Sequence, residues 1–178
     1  MLRQYRESDF NELLRLRCLL YTDYTKQEMR EEITAFLYHS DNNRFRNYDK
    51  WTCYVYQNED GTLAGFIDVG FVCAKDYKEL LDNFNRTNYY DQIQLLLSNN
   101  RPIPVVESWY VDEKKRGFHI GMRLMNQAEK WVKDNGYSFI LSDTDDFREV
   151  SRKAHKSFGY VEYCVDTNLI HYYYKHIY

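Results

Sequence analysis

The sequence Tyr110-Val-Asp-Glu-Lys-Lys-Arg-Gly-Phe-His-Ile-Gly-Met-Arg-Leu-Met125 decides the fold of this chain. It joins an extended apolar run, Val105–Val111, to an amphipathic helical pattern that continues to about Gly136. A basic loop that contains glycine lies between the strand and the helix. Free backbone N–H groups and the positive end of a helix point into such a loop, so it suits an anion. We therefore predict that this segment holds a phosphate-bearing cofactor.

The composition limits the class of protein. The 178 residues suffice for one domain with a sizeable core. No run of about 18 apolar residues occurs, so we expect no contact with a membrane. The N-terminal sequence Met1–Ser8 lacks the apolar segment of a signal peptide, which predicts a cytoplasmic protein. The net charge of -3 argues against nucleic acid as a partner and suits a cationic substrate.

The cysteines and tyrosines give two further expectations. The four cysteines, which form no C-x-x-C pair, are Cys18, Cys53, Cys73 and Cys164. We predict buried thiols rather than disulfides or a zinc site, and we expect no bound metal. Tyrosine accounts for 18 residues, and we expect several of them to line a pocket or a subunit interface. We also expect a homodimer.

Hydrophobic periodicity, capping residues and turn residues predict the order of the elements. The expected strands are 1–6, 51–56, 63–73, 104–111, 137–141, 160–165 and 168–176. The expected helices are 8–21, one opened by a capping box at Thr25–Glu28, about 119–135 and 147–158. We expect Ser142–Asp146 to form a loop. Residues 74–103 are predicted to be a polar excursion with two short helices and a functional role.

The segment Arg116-Gly-Phe-His-Ile-Gly121 resembles the pyrophosphate-binding loop of the GNAT acetyltransferase superfamily, R/Q-x-x-G-x-G/A. One position departs, because His119 stands where the first glycine usually is. The expected element order is also that of the GNAT fold. The resemblance thus implies an α/β (α+β) fold in a single domain, 1–178, whose mixed, mostly antiparallel central sheet is flanked by helices. It also implies acetyl-CoA as co-substrate, bound by Trp109, Tyr110, Val111, Arg116, Gly117, Phe118, His119, Ile120, Gly121 and Met122.

A second set of motifs resembles the aminoglycoside 6'-N-acetyltransferases within that superfamily. Ser142-Asp-Thr144 and the later Ser151-Arg-Lys-Ala-His-Lys-Ser-Phe-Gly-Tyr160 are similar to their S-D-[AT] and S-x-x-x-H-x-x-L-G-F motifs. Val105–Val111 matches their key strand at its glutamate and final valine, and Leu16–Tyr21 matches L-R-x-x-L-W with tyrosine for tryptophan. The resemblance implies acetyl transfer to the 6'-amine of an aminoglycoside, which confers antibiotic resistance.

The chemistry of acetyl transfer needs a neutral amine, a polarised carbonyl and a proton source for the leaving thiolate. The resemblance implies that Glu107 and Asp143 bind the substrate and are candidates for the general base. A solvated strand residue is the alternative for Glu107, and a helix cap or turn carboxylate is the alternative for Asp143. His155 is a third catalytic candidate, which could assist the thiolate or contact pantetheine. Its alternative is a partly buried helix histidine that makes one hydrogen bond.

Tyr21 and Tyr77 are candidates for aromatic walls that stack against a sugar ring, and plain packing is the alternative for both. Two other functions stay open. One is a GNAT enzyme that acetylates a different amine, such as a polyamine, an amino acid or a protein N-terminus. The other is a coenzyme A-binding or scaffold protein without catalytic activity, since His119 interrupts the glycine pattern.

Overall fold

A computed structural model of the chain describes residues 1–37, 48–73, 94, 98 and 102–177. The strands are β1 Leu2–Gln4, β2 Tyr48–Gln57, β3 Leu63–Val72, β4 Ile103–Val111, β5 Phe139–Asp145, β6 Val161–Val165 and β7 Ile170–His176. The helices are α1 Phe10–Leu20, α2 Lys26–Leu37, α3 Ile120–Asp134 and α4 Glu149–Ser157. Most of the predicted excursion at 74–103, with its two short helices and Tyr77, lies outside the described residues.

The strands form one sheet in the order β1-β2-β3-β4-β5-β7-β6. The β4·β5 pair is parallel, whereas β1·β2, β5·β7 and β6·β7 are antiparallel. The predicted fold class, a mixed and mostly antiparallel sheet with flanking helices, is confirmed.

The chain divides into two compact units. The first comprises Met1–Asn47, Thr52–Asp68 and Ser108–Ala128. The second comprises Tyr48–Trp51, Val69–Glu107 and Glu129–Tyr178. The single-domain boundaries expected from the sequence stay a prediction.

The core of the first unit forms from one apolar face of each of its first two helices and from β3. Thr25 and Glu28 make the predicted capping box at the start of α2: the Thr25 N–H donates to Glu28 Oε2 at 2.8 Å, and the Glu28 N–H donates to Thr25 Oγ1 at 3.2 Å. The buried apolar side chains include Leu13, Leu14, Leu16, Met29, Ile33, Val55, Leu63, Phe66 and Ile67.

The core of the second unit is rich in tyrosine. Its buried cluster contains Val72, Ile103, Val105, Leu141, Tyr163, Cys164, Tyr172 and Tyr174. The Phe71 ring stacks between Trp131 and Tyr137, at centroid distances of 4.8 and 4.7 Å. Several of the 18 tyrosines are therefore core residues, among them Tyr163, Tyr172 and Tyr174. Since their phenol groups add polar tips to a large apolar body, such rings pack well beside buried strands.

Two expectations from the sequence were wrong in detail. The predicted loop Ser142–Asp146 is largely strand, because β5 continues to Asp145 and pairs with β7 throughout. Cys73 is exposed rather than buried, because it follows the last residue of β3. The other three thiols are buried or half-buried, and all four are free.

No helix in the described part of the chain is long and apolar enough to cross a membrane. Within the same residues, no group of three or more His, Cys, Asp or Glu side chains is placed to hold a metal ion.

Candidate functional site

The loop after β4 begins with an anchored turn. A short 3₁₀ helix, Glu113–Lys115, is capped by Asp112, whose Oδ1 accepts the Lys114 N–H at 3.1 Å. Arg15 on α1 donates to the other oxygen of Asp112 at 3.1 Å, and the Asp112 N–H donates to the Ala64 carbonyl at 2.9 Å. The sequence predicted a charged turn here, but not its contacts with Arg15 and Ala64. It fixes where the loop leaves the strand.

The loop then enters the 15-residue helix α3. Its N-terminus is suited to bind an anion: the Arg123 N–H donates to the His119 carbonyl at 3.1 Å, but the N–H groups of residues 117–122 donate to no described residue. Because these groups lie at the positive end of the helix dipole, they suit an anion, and binding of the cofactor here stays a prediction.

The backbone of the cradle is left-handed at two positions. Gly117 has φ +87° and His119 has φ 58°. Glycine adopts this conformation at no steric cost, whereas most side chains are disfavoured there. The backbone at His119 therefore explains the glycine in the motif that the segment resembles. The exposed His119 side chain fits without a change of conformation.

Two glycines allow the end of β4 to be packed closely. A Cβ atom added to Gly121 would lie 3.1 Å from Trp109 Cζ2, and one added to Gly65 would lie 2.7 Å from the Tyr110 carbonyl oxygen. Contacts this short would force neighbouring atoms to move. The lack of a side chain at both glycines therefore allows Trp109 and Tyr110 to lie where they do.

Arg116 folds back against the end of β4. Its Nε donates to the Val111 carbonyl at 3.2 Å, and its guanidinium carbon lies 5.8 Å from the centre of the Tyr110 ring. Phe118 and Met122 are exposed, Phe118 by 69 % of its surface. All the predicted cofactor-binding residues thus lie in the first unit, on one continuous strand, loop and helix start.

Glu107 and Asp143 occupy corresponding positions on neighbouring parallel strands of the second unit. Val105 pairs with Leu141 and Val106 pairs with Ser142, so each carboxylate is the next residue on its strand. Corresponding positions of adjacent strands project to the same face of a sheet, and both residues are half-buried. Asp143 is not a cap or turn residue, because it lies in the ladder opposite Tyr172.

Tyr21 ends helix α1 and is tied to β4 by its hydroxyl group. Its OH lies 2.8 Å from Ser108 Oγ, and Ser108 directly follows Glu107. Burial of the hydroxyl raises the pKa of Tyr21 to about 12, so the phenol is neutral at pH 7. The ring is half-buried and meets Tyr24 edge-on at 6.1 Å. The second predicted stacking residue, Tyr77, lies outside the described residues.

His155 is 2 % exposed, and its two ring nitrogens are both used. Nδ1 lies 2.8 Å from the Ser151 carbonyl and must donate to it, which leaves Nε2 to accept from the Ser142 hydroxyl at 2.9 Å. The ring stacks on Tyr173 at 4.5 Å, and burial lowers the pKa of His155 to about 4. A neutral, enclosed imidazole is a poor acid for a thiolate, so this geometry favours the structural alternative over the predicted catalytic role.

Sequence reasoning missed a buried ion pair in the first unit. The Arg17 guanidinium donates to the Asp68 carboxylate, and the two side chains are 3 % and 0 % exposed. The sequence did carry a signal, since Asp68 is the one charged residue in the otherwise apolar strand Leu63–Val72. Ser108 was also missed, because a serine within an apolar run has no pattern that marks its partner.

A family model and a known relative both match most of this chain, and both are acetyltransferases. A model of the acetyltransferase (GNAT) family matches residues 13–160. The aminoglycoside N(6')-acetyltransferase type 1 of Klebsiella aerogenes is 26% identical over 162 residues, which cover 91% of this chain and 90% of that protein.

Three solved structures share the fold. AAC(6')-Iy, in complex with the bisubstrate analogue CoA-S-monomethyl-acetylneamine, has a TM-score of 0.64 and 16% identity over 92% of this chain and 91% of its own. The apo 6'-N-acetyltransferase of Acinetobacter haemolyticus has a TM-score of 0.65 and 17% identity over 92% of each chain. The PaiA N-acetyltransferase of Thermoplasma acidophilum, in complex with coenzyme A, has a TM-score of 0.63 and 14% identity over 99% and 98%.

Proposed function

The chain belongs to the GNAT acetyltransferase family, and on that premise we propose that it moves an acetyl group from acetyl-CoA to the 6'-amine of an aminoglycoside. The observation that carries the proposal is the position of Glu107 and Asp143, two half-buried carboxylates at corresponding places on adjacent strands. Such a pair suits a substrate with several ammonium groups. The relative from Klebsiella aerogenes, matched along nearly the whole chain, supports the same substrate class.

Acetyl-CoA binds, in this proposal, at the start of α3. The N–H groups of residues 117–122 hold its pyrophosphate, and the pantetheine follows Trp109–Val111. Arg116 adds a positive charge beside the loop while its contacts with Val111 and Glu113 keep it in place. The strand, the loop and the start of the helix therefore suit acetyl-CoA, an extended thioester that carries negatively charged phosphates.

The reaction joins the amine nitrogen to the acetyl carbon and breaks the bond from that carbon to sulphur. An aminoglycoside amine arrives as an ammonium group, so one proton must leave before attack. The nitrogen loses a second proton as the amide forms, and the coenzyme A thiolate takes up a proton. We assign ammonium binding to both Glu107 and Asp143, with one of them as general base. Glu107 lies on β4, two residues before Trp109 in the sequence.

Tyr21 serves as an aromatic wall for a sugar ring. Its hydrogen bond to Ser108 holds the phenol, so the ring presents a fixed apolar surface at the end of α1. Because the Tyr21 phenol is neutral at pH 7, it adds no negative charge that would repel a carboxylate group of the site. The role of Tyr77 as a second wall stays a proposal.

The test is a screen of amines by release of free coenzyme A thiol. Tobramycin and kanamycin should release thiol at rates well above spermidine, lysine or a peptide with a free N-terminus. The control is a protein with Glu107→Gln and Asp143→Asn together, which should bind acetyl-CoA normally and release little thiol. Faster turnover of a polyamine, an amino acid or the peptide would assign the enzyme to that amine instead. Tight acetyl-CoA binding without thiol release for any amine would favour the non-catalytic alternative.

The expected homodimer and cytoplasmic location are further proposals. The first is tested by the mass of the protein in solution, measured by light scattering after size-exclusion chromatography. A monomer across the working concentration range would contradict it.

A further inference from the structure

The first unit contains an ion pair, Arg17–Asp68, that is buried away from water, where a charged group loses its hydration. The Arg17 side chain is 3 % exposed and Asp68 is fully buried. The Arg17 guanidinium also lies 5.4 Å from the centre of the Phe66 ring and 3.7 Å from Glu32 Oε1 on α2. Arg17 on α1 and Asp68 on β3, 51 positions apart in the sequence, are thus joined by a buried, directional contact.

Stability does not account for such a pair. Removing two charges from water costs about as much as their attraction returns, and apolar residues of similar volume are often as stable. An ion pair requires its two groups to meet in one geometry. It therefore restricts the rotation of the helix about its axis more than apolar side chains in the same place would. The pair is therefore expected to specify a geometry that function needs.

That geometry is the position of Tyr21. Arg17 lies in the last turn of α1, and Tyr21, four residues later, is the residue that caps the end of this helix. The Tyr21 N–H donates to the Arg17 carbonyl at 2.8 Å in the last hydrogen bond of the helix. At the same end of the helix, the Tyr21 hydroxyl meets Ser108 Oγ at 2.8 Å.

We propose that the Arg17–Asp68 ion pair is a positioning element for amine recognition, which fixes the rotation of α1 so that Tyr21 bonds to Ser108 and presents its ring to the substrate. The inference rests on the proposed function in one respect, that Tyr21 contacts the amine substrate. Glu32 belongs to the same element, since its Oε1 lies 3.7 Å from Arg17 Nη1 and burial raises the pKa of its carboxyl.

The test replaces the pair with apolar residues, Arg17→Met with Asp68→Leu, which removes both buried charges and leaves only the partly exposed Glu32 carboxylate. We expect a melting temperature equal to or above that of the parent, about a tenfold rise in KM for tobramycin, and unchanged kcat and KM for acetyl-CoA. Adding Ser108→Ala should raise KM little further, because the same hydrogen bond has already been lost. An unchanged KM for tobramycin in the folded double variant would overturn the proposal.

A matched control is the Arg3–Asp9 pair, which is also largely buried and joins through two hydrogen bonds of 2.7 Å. Arg3→Met with Asp9→Asn removes the same charges at the other end of α1 from Tyr21, keeps a side-chain oxygen for the Arg6 N–H, and should leave KM unchanged. An equal rise in KM there would show a general loss of packing and would contradict a positioning role.

A second readout does not depend on turnover. In protein labelled with ¹³C at the tyrosine rings, the Tyr21 signal can be assigned by its loss in Tyr21→Phe. It should shift in the Arg17→Met, Asp68→Leu variant, because the Tyr21 hydroxyl loses its hydrogen bond to Ser108. If the Tyr21 signal does not move, the positioning role is overturned, even if no amine is acetylated. If the signal moves but no amine is acetylated, the positioning role stands and only the proposed function is contradicted. If the apolar pair does not fold, Ser108→Ala alone must give the tobramycin KM rise and the Tyr21 shift, and their absence would overturn the proposal.

Discussion

Gly121 and Trp109 lie so close that a methyl group on the glycine would stand 3.1 Å from Trp109 Cζ2. The start of α3 and the end of β4 are therefore in contact through a residue that has no side chain. The contact places the helix N-terminus beside the strand along which we expect pantetheine to run. This relationship gives the most direct test of the cofactor site.

We expect Gly121→Ala to weaken acetyl-CoA binding. The added methyl group must push the Trp109 ring aside, which should raise Kd about fivefold, equivalent to about 1 kcal/mol. Isothermal titration calorimetry measures the change. Asn126→Ala, on the exposed side of the same helix, is the control and should bind as the parent does. Equal Kd values for the two variants would place the cofactor elsewhere.

The left-handed backbone at His119 predicts an order of stability among substitutions. Asparagine tolerates φ near 58°, whereas a β-branched side chain does not, so His119→Val should be less stable than His119→Asn by about 1 kcal/mol or more. His119→Gly should bind acetyl-CoA as tightly as the parent, because glycine adopts the same backbone. Urea denaturation and calorimetry give the two quantities. A valine variant as stable as the asparagine variant would contradict the assigned conformation.

His155 should make the protein less stable in mild acid. Its pKa is about 4 in the folded chain and 6.5 as the ordinary value, so between these limits the unfolded state binds the proton and the folded state does not. Stability is therefore fully present above about pH 6.5 and falls as the pH drops toward 4, by about 3 kcal/mol in total.

The measurement compares the slope of unfolding free energy against pH in the parent, in His155→Gln and in the exposed-site control His176→Gln. The His155 variant should lose part of the slope between pH 6.5 and 4, and the control should keep it. The profile of kcat/KM should show no ionisation near 6.5 that depends on His155. A profile that loses such an ionisation in the variant would restore the catalytic role.

Substitutions at Glu107 and Asp143 should have effects on tobramycin binding that depend on each other. Glu107→Gln and Asp143→Asn should each raise KM for tobramycin about tenfold, and KM in the double variant should rise by less than the product, because both hold the same polycation. The variant that lacks the general base should also lose about 100-fold in kcat. Added salt should weaken tobramycin binding in the parent more than in the double variant. Glu59→Gln, in the exposed turn between β2 and β3, is the control of equal charge change. Independent effects that multiply would show that the two residues do not share a ligand.

The loop and the element order were predictable because they depend on local patterns. The apolar strand to Val111, the charged turn and the amphipathic helix from Ile120 follow each other in the sequence, and each pattern has its own period. The cradle at Arg116–Gly121 depends on the same short segment, so its existence did not need the rest of the fold.

The errors involve contacts between distant segments. Asp143 was assigned to a loop because Ser142–Asp146 is polar, but β7 supplies a full ladder of backbone partners and keeps the segment extended. The burial of His155 depends on Tyr173 and Ser142, and the Arg17–Asp68 pair joins a helix to a strand. Local periodicity carries no information on such partners, which is why the strand at Asp143, the burial of His155 and the Arg17–Asp68 pair were not predicted.

The central claim, transfer of acetyl to a 6'-amine, is tested most directly with neomycin and paromomycin, which differ by an amino group or a hydroxyl group at that carbon. Each is incubated with the protein and acetyl-CoA, and the products are fragmented by mass spectrometry. The account predicts one acetyl group on neomycin, located on the 6'-amino sugar ring, and no acetylated paromomycin. Acetylation of both at a shared amine, or of neither while another amine is consumed, would contradict it.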